Sequence, residues 1–220
     1  MRQQTLKVCF IMDCTSSMGP WIDAAKNKIN ETLNLILGNH PSYKIYASFV
    51  GYRDVMDNEQ FITVDFTDNI EHLISSIINV EPKGGDDIAE DVAGAFDIVN
   101  RFDWRGDVKI AFLITDAPNH GMMYHYPNIS DNYPGGCGTI DLREETVRLA
   151  NKGVDLTVFR INRSTDIMYQ IMQAQYSFVN PNKFKIVNLV NSRQSADRSF
   201  ETEVFTSIQH SIALSQVPMD

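Results

Sequence analysis

The chain has 220 residues, 43% of them hydrophobic and 21% charged, enough to bury the core of one domain over 1–220 and unlike a disordered chain. Lys and Arg number 19 against 28 Asp and Glu, for a net charge of −9. That excludes a duplex nucleic-acid surface, which needs clustered basic residues, and suits a cation site or a basic partner.

The first element, KVCFIM at 7–12, reads as a buried strand that stops at Asp13. Its apolar run is broken by Lys7, too short to insert in a membrane and a poor signal peptide, so the expected location is cytoplasmic. The cysteines Cys9, Cys14 and Cys137 show no zinc spacing and fit reduced thiols. The acceptor triplets at Asn30, Asn128 and Asn162 then read as chance. Residues 18–37 follow as a helix, with Trp21, Ala25, Ile29, Leu33 and Ile36 on one face and Gly38 closing it. Strands are expected at 43–52 and 61–66, where β-branched and aromatic residues dominate.

IEHLISSIINV, 70–80, carries Ile70, Leu73, Ile74, Ile77 and Ile78 on a helical stripe. After the break at 83–85, Ile88, Val92, Ala95, Phe96 and Val99 mark a second helix. VKIAFLIT, 108–115, is continuous and apolar, as a strand covered on both faces must be, and it ends at Asp116. A long irregular stretch from Ala117 to Thr139, rich in Pro and Gly, is a candidate functional loop. Helices at 141–151 and 166–176, strands at 154–161 and 184–190, and a last helix with Phe200, Val204, Ile208 and Ile212 spaced by four complete the chain. Alternating strands and amphipathic helices predict an α/β fold: a doubly wound, mostly parallel sheet with one antiparallel edge strand and helices on both faces.

In such sheets ligands sit at the carboxyl ends of the strands, where the winding reverses. Asp13 and Asp116 both lie at strand ends, and the GGDD loop, 84–87, is expected at the same edge. Asp13, Thr15, Ser17, Asp87 and Asp116 therefore form a candidate site for a hard divalent cation, Mg²⁺ or else Mn²⁺ or Ca²⁺, which prefers oxygen ligands. The alternation D-x-T-x-S lets every second side chain point into one concavity.

These residues resemble the metal-ion-dependent adhesion site of von Willebrand factor A domains: DCTSS matches their D-x-S/T-x-S motif, Asp87 their loop Thr, and Asp116 in LITDAP their strand-end Asp. More narrowly, GYRD, GGDDIAEDVAGAF and LITDAPNHG resemble the A domains joined to atypical alpha-kinases in protists, with no kinase domain following in these 220 residues. The resemblance implies a cation-dependent protein-binding module whose partner completes the ion's shell with an acidic side chain. Asp87 in place of Thr adds a third carboxylate, which strengthens cation binding and weakens the pull on a partner's carboxylate. The alternative is a non-catalytic interaction domain whose site is empty or holds a purely stabilising ion and which binds through another face.

Plainer roles stand beside these. Ser16 or Ser17 can cap the first helix, and Asp87 with Glu90 has capping-box spacing. Arg53 and Asp54 can pair with each other or with the rim. His120 and His125 lack a third zinc ligand, and Tyr124, His125 and Tyr126 are candidates for partner contact or for a packed lid. Catalysis is disfavoured. Thr15 stands where phospho-aspartyl enzymes carry a second Asp, Pro20 stands where a cysteine phosphatase needs Arg, and no nucleotide or hydrolase loop motif occurs.

Overall fold

The computed structural model of the protein describes residues 3–189 and 193–216, the stretch 193–199 as backbone. Six strands, β1 (Gln4–Asp13), β2 (Tyr43–Tyr52), β3 (Phe61–Thr67), β4 (Val108–Thr115), β5 (Asp155–Arg160) and β6 (Phe184–Asn188), form one sheet in the order β3-β2-β1-β4-β5-β6. All neighbours are parallel except β2 and β3, so the antiparallel strand is at the edge, as the sequence predicts.

Alternation along β1 explains the layering. Leu6, Val8, Phe10 and Met12 face one core; Cys9 and Ile11 face the other. The first core is covered by α1 (Gly19–Asn39), α2 (Ile70–Ile78) and α6 (Arg193–Ser215), the second by α3 (Val92–Arg101), α4 (Leu142–Asn151) and α5 (Asp166–Val179). Phe10, Phe112, Phe159 and Phe200 stack in a row through the first core, with successive ring centroids 5.6, 5.8 and 5.8 Å apart. Each such buried ring contributes about 2–3 kcal/mol by transfer from water, which fixes β1, β4, β5 and α6 against one another.

Several boundaries differ from the sequence reading. Gly38 lies inside the last turn of α1, which runs to Asn39, and the N–H of His40 closes it on the Ile36 carbonyl at 2.9 Å. Ile78 ends α2 on its exposed side, leaving Leu73 and Ile77 as the buried residues. The third helix begins only at Val92, because Asp91 rather than Asp87 caps it: its carboxylate accepts from the Gly94 N–H at 2.8 Å. Residues 84–91 are instead an irregular loop, entered through Gly84 and Gly85 at φ +84° and +83°. Of the strand expected at 184–190, residues 184–188 form β6, and 190 lies outside the described residues.

The chain winds from β1 outward through β2 to β3, then returns to β4 on the other side of β1. The reversal point is therefore between β1 and β4, and Met12 pairs with Ile114 there. Asp13 and Asp116 leave the sheet side by side at the carboxyl edge, the position where ligands bind in such sheets.

Candidate metal centre at the carboxyl edge

Asp13 is fully buried at the end of β1. Its Oδ1 accepts from the Thr15 N–H at 2.9 Å and the Thr15 hydroxyl at 2.7 Å, a turn in which the Asp side chain replaces a backbone carbonyl. Its Oδ2 accepts from the Thr115 hydroxyl at 2.9 Å. Thr15 Oγ1 lies 3.5 Å from Ser17 Oγ, and Ser17 donates to Asp116 Oδ1 at 2.9 Å. Four residues of the predicted set are thus joined in one chain from carboxylate to carboxylate. Neither serine caps a helix: Ser16 instead donates to the Gly84 carbonyl at 2.9 Å and ties the two loops together.

The charges in this chain are unbalanced. Burial, and then the neighbouring Asp116, pushes the Asp13 carboxyl up to about 7 against the hydrogen bonds of Thr15 and Thr115. Burial also raises Asp116, with the Ser17 hydroxyl opposing it. Among the described residues no Lys, Arg or His forms an ion pair with either carboxylate. Two like charges without a counter-ion, flanked by two hydroxyls, make an all-oxygen donor set suited to a hard divalent cation. Each hydroxyl can give its proton to a carboxylate and still offer a lone pair to the ion. Asp116 is half-buried and Ser17 exposed, so one side opens to solvent. The Asn162 amide holds the Asp116 carbonyl at 2.8 Å, fixing the strand end from the loop after β5.

Asp87 is brought to a different group. Its Oδ2 accepts from the Asn132 N–H, and its ligand atom lies within 4.8 Å of those of Asp54 and His120. His120 in turn bridges two carboxylates, Nε2 to Asp54 Oδ1 at 2.6 Å and Nδ1 to Asp131 Oδ1 at 2.8 Å. Burial disfavours the charged ring, but the two aspartates outweigh it and raise the His120 pKa. Each ring nitrogen faces a carboxylate oxygen, an acceptor, so both are donors as in an imidazolium and no lone pair is left for a metal. Burial of Asp131 is overcome by bonds from His125, His120 and the N–H groups of Gly121 and Tyr133, which hold its carboxyl down at about 2.

This cluster packs the loop after β4 onto the sheet edge. Tyr124 and His125, candidates for partner contact by sequence, are both buried: the Tyr124 hydroxyl reaches Asp141 at 3.1 Å and His125 reaches Asp131 at 2.9 Å. Of that trio Tyr126 alone faces out, 43% exposed, near Met122 and Met123, which are 72% and 45% exposed. Arg53 and Asp54 do not pair with each other. Arg53 is buried and donates to the Glu59 and Glu81 carbonyls at 2.6 and 3.1 Å, clamping the loop after β2, while Asp54 goes to His120.

Sequence reasoning assigned Glu90 only to a cap. Its N–H donates to the Pro118 carbonyl at 2.9 Å, and its own carbonyl accepts from the His120 N–H at 3.3 Å. The segment therefore lies along the chain just beyond Asp116. The Glu90 side chain is 3% exposed, and burial followed by Asp13, Asp54, Asp57 and Asp87 pushes its carboxyl up to about 10. Gly85 is what leaves room for it: a Cβ there would lie 2.8 Å from Glu90 Oε1 and 3.3 Å from Thr15 Cβ.

A von Willebrand factor A domain family model matches residues 7–126. An alpha-protein kinase from Dictyostelium discoideum, vwkA, is 27% identical over 217 residues, which is 97% of this chain and 34% of that protein. The chain thus spans about a third of the length of that curated relative. Among solved structures, the pilus adhesin SpaC from Lactobacillus rhamnosus GG superposes with a TM-score of 0.62 at 14% identity, covering 96% of this chain and 31% of that one. The vWF domain of the type V pili tip protein Mfa5 from Porphyromonas gingivalis gives 0.57 at 12% identity, covering 95% and 98%. At these identities the structural matches speak for the fold.

Proposed function

The chain belongs to the von Willebrand factor A domain family, and from that premise we propose that residues 1–220 form one divalent-cation-dependent protein-binding module. Domains of this family are often metal-dependent interaction modules and are generally non-catalytic. The ion, Mg²⁺ or else Mn²⁺ or Ca²⁺, is held by Asp13, Thr15, Ser17 and Asp116. Asp87 acts from the neighbouring group, fixing the 117–139 loop through Asn132. The observation that carries this reading is buried Asp13 beside half-buried Asp116, each bound by a hydroxyl and neither paired with a basic side chain among the described residues.

When bound, the ion polarises an oxygen of the partner, an acidic side chain in the arrangement the family resemblance implies, and no covalent bond changes. Thr115 and Thr15 orient the Asp13 carboxylate; Asn162 holds the strand end that carries Asp116. The exposed Tyr126, Met122 and Met123 of the 117–139 loop are the proposed protein-contact surface. No helix among the described residues is long and apolar enough to cross a membrane, and the proposed place of action is the cytoplasm, on a protein partner rather than nucleic acid.

The test has two arms. Added Mg²⁺ or Mn²⁺ raises the melting temperature of the EDTA-treated chain and leaves Asp13→Ala unmoved. Affinity capture with both chains then separates two outcomes. Partners lost from the variant and eluted by EDTA support bridging by the ion. A melting shift with no change in captured partners supports a purely stabilising ion.

A further inference from the structure

We propose that Glu90 supplies the third carboxylate to this ion, the part the sequence assigned to Asp87; the inference rests on the cation site proposed above. Three observations place it. The Glu90 backbone is pinned to the Pro118–His120 segment, immediately beyond Asp116, by a bridge to Asn119 and the bonds to Pro118 and His120. Its side chain, 3% exposed, lies against Gly85, and the space that a Cβ would fill at Gly85 separates Glu90 Oε1 from Thr15. Glu90 Oε2 is buried with no hydrogen-bond partner among the described residues.

A buried carboxyl oxygen without a hydrogen-bond partner is costly, and nearly all such atoms in folded proteins are satisfied. Tyr52 Oη is buried and unpartnered as well, on the residue paired with Asp13 across β1 and β2. A hard cation between Asp13 and Asp116 gives Glu90 the partner it lacks. Asp87 also has one buried oxygen without a partner, Oδ1, but its Oδ2 receives the Asn132 N–H and it sits by the His120 ring, whose two nitrogens are both engaged as donors and oppose a cation there. Glu90 reaches the site only because Asp91 takes over the helix cap and frees residues 84–91 from helical geometry.

The experiment uses the full chain with Mn²⁺ and Tb³⁺ as probes. Mn²⁺ affinity is measured by the loss of the free-ion paramagnetic resonance signal, and the waters left on bound Tb³⁺ by luminescence lifetimes in H₂O and D₂O. Glu90→Gln is expected to weaken Mn²⁺ about tenfold or more and to add about one water to bound Tb³⁺. Glu90→Asp, one methylene short, is expected to do the same, and Asp87→Asn to cost less than either. Unchanged affinity and unchanged water count in both Glu90 variants, or a larger loss in Asp87→Asn, overturns the proposal. Asp13→Asn separates the two levels: if it binds Mn²⁺ as the parent does, the site itself is misplaced; if it does not bind while both Glu90 variants do, only the role of Glu90 falls.

Discussion

Replacing Asp13 by Asn should stabilise the metal-free protein while abolishing its response to the metal. Asn is isosteric and its Oδ1 keeps the bonds from the Thr15 N–H and hydroxyl. Its Nδ2 faces Thr115 Oγ1, whose proton can turn to the Ala117 carbonyl at 3.0 Å and leave the oxygen free to accept. The hydrogen bonding survives and the buried charge is gone. Raising the Asp13 carboxyl from its ordinary 3.8 to about 7 corresponds to about 4 kcal/mol against the ionised form at pH 8. Allowing about 1 kcal/mol for an imperfect new bond leaves a gain of about 3 kcal/mol, or about 6–12 °C in melting temperature for a chain of this size. Scanning calorimetry in EDTA reads this directly. In the parent, Mg²⁺ at a hundred times its Kd restores about 2.7 kcal/mol; in the variant it restores nothing. A variant that melts below the parent in EDTA at pH 8, or that still gains from Mg²⁺, refutes the argument.

The same charges set a pH profile. Asp13 is raised to about 7 and Glu90 to about 10, so their contribution is complete below about pH 4 and is lost as pH rises through those values. His120 is raised too and weakens in the same direction, whereas Asp131, held at about 2, loses its contribution as pH falls from about 4 toward 2. The melting temperature in EDTA should therefore peak at about pH 4 and fall toward pH 8, and the Mg²⁺-induced rise should be larger at pH 8 than at pH 5.5; a flat EDTA profile between those two values contradicts it. Exchanging His120 for Gln removes the charge between Asp54 and Asp131, so the 117–139 loop should be cut faster by limited proteolysis while β4 stays protected, at a cost of about 3–5 kcal/mol for breaking a buried ion pair. Gly85→Ala should cost more than about 1 kcal/mol from φ +83° alone and should also weaken Mn²⁺, because its Cβ overlaps Glu90 Oε1.

The layered sheet could be read from sequence because its signals are local. Continuous apolar runs such as VKIAFLIT, and stripes such as Phe200, Val204, Ile208 and Ile212, each carry their own burial pattern, and all of these are buried or packed as expected. The D-x-T-x-S turn was legible for the same reason: Asp13 bonds the residue two ahead. The partners of Asp87 and Glu90 were not legible, since they depend on where loops from 45 or 28 residues away return, as Asn132 and Pro118 do. Asp91 and Asp87 both offer a carboxylate ahead of an apolar stripe, and the capping rule cannot choose between them. Two positive-φ glycines, which a sequence shows only as a break, made the choice. His120 and His125 lack a third zinc ligand by spacing, and nothing local to them shows that Asp131 lies between the two rings.

Two acidic groups share one edge of the sheet, and they are neutralised in different ways. Around Asp54 and Asp131 the chain supplies its own cation, the imidazolium of His120, and the price is a ring fixed by bonds at both nitrogens. That group cannot respond to a divalent ion without first losing a proton and two hydrogen bonds, so it suits the fixed task of seating the 117–139 loop. Around Asp13 and Asp116 the nearest donors are hydroxyls and an amide, which orient the carboxylates but do not balance them. Arg53 is buried nearby, yet its guanidinium is committed to the Glu59 and Glu81 carbonyls. A buried charge left unbalanced either takes up a proton or is relieved by something outside the chain. The open side at Ser17 is where a divalent cation can enter, and the same opening exposes that cation to a partner's oxygen.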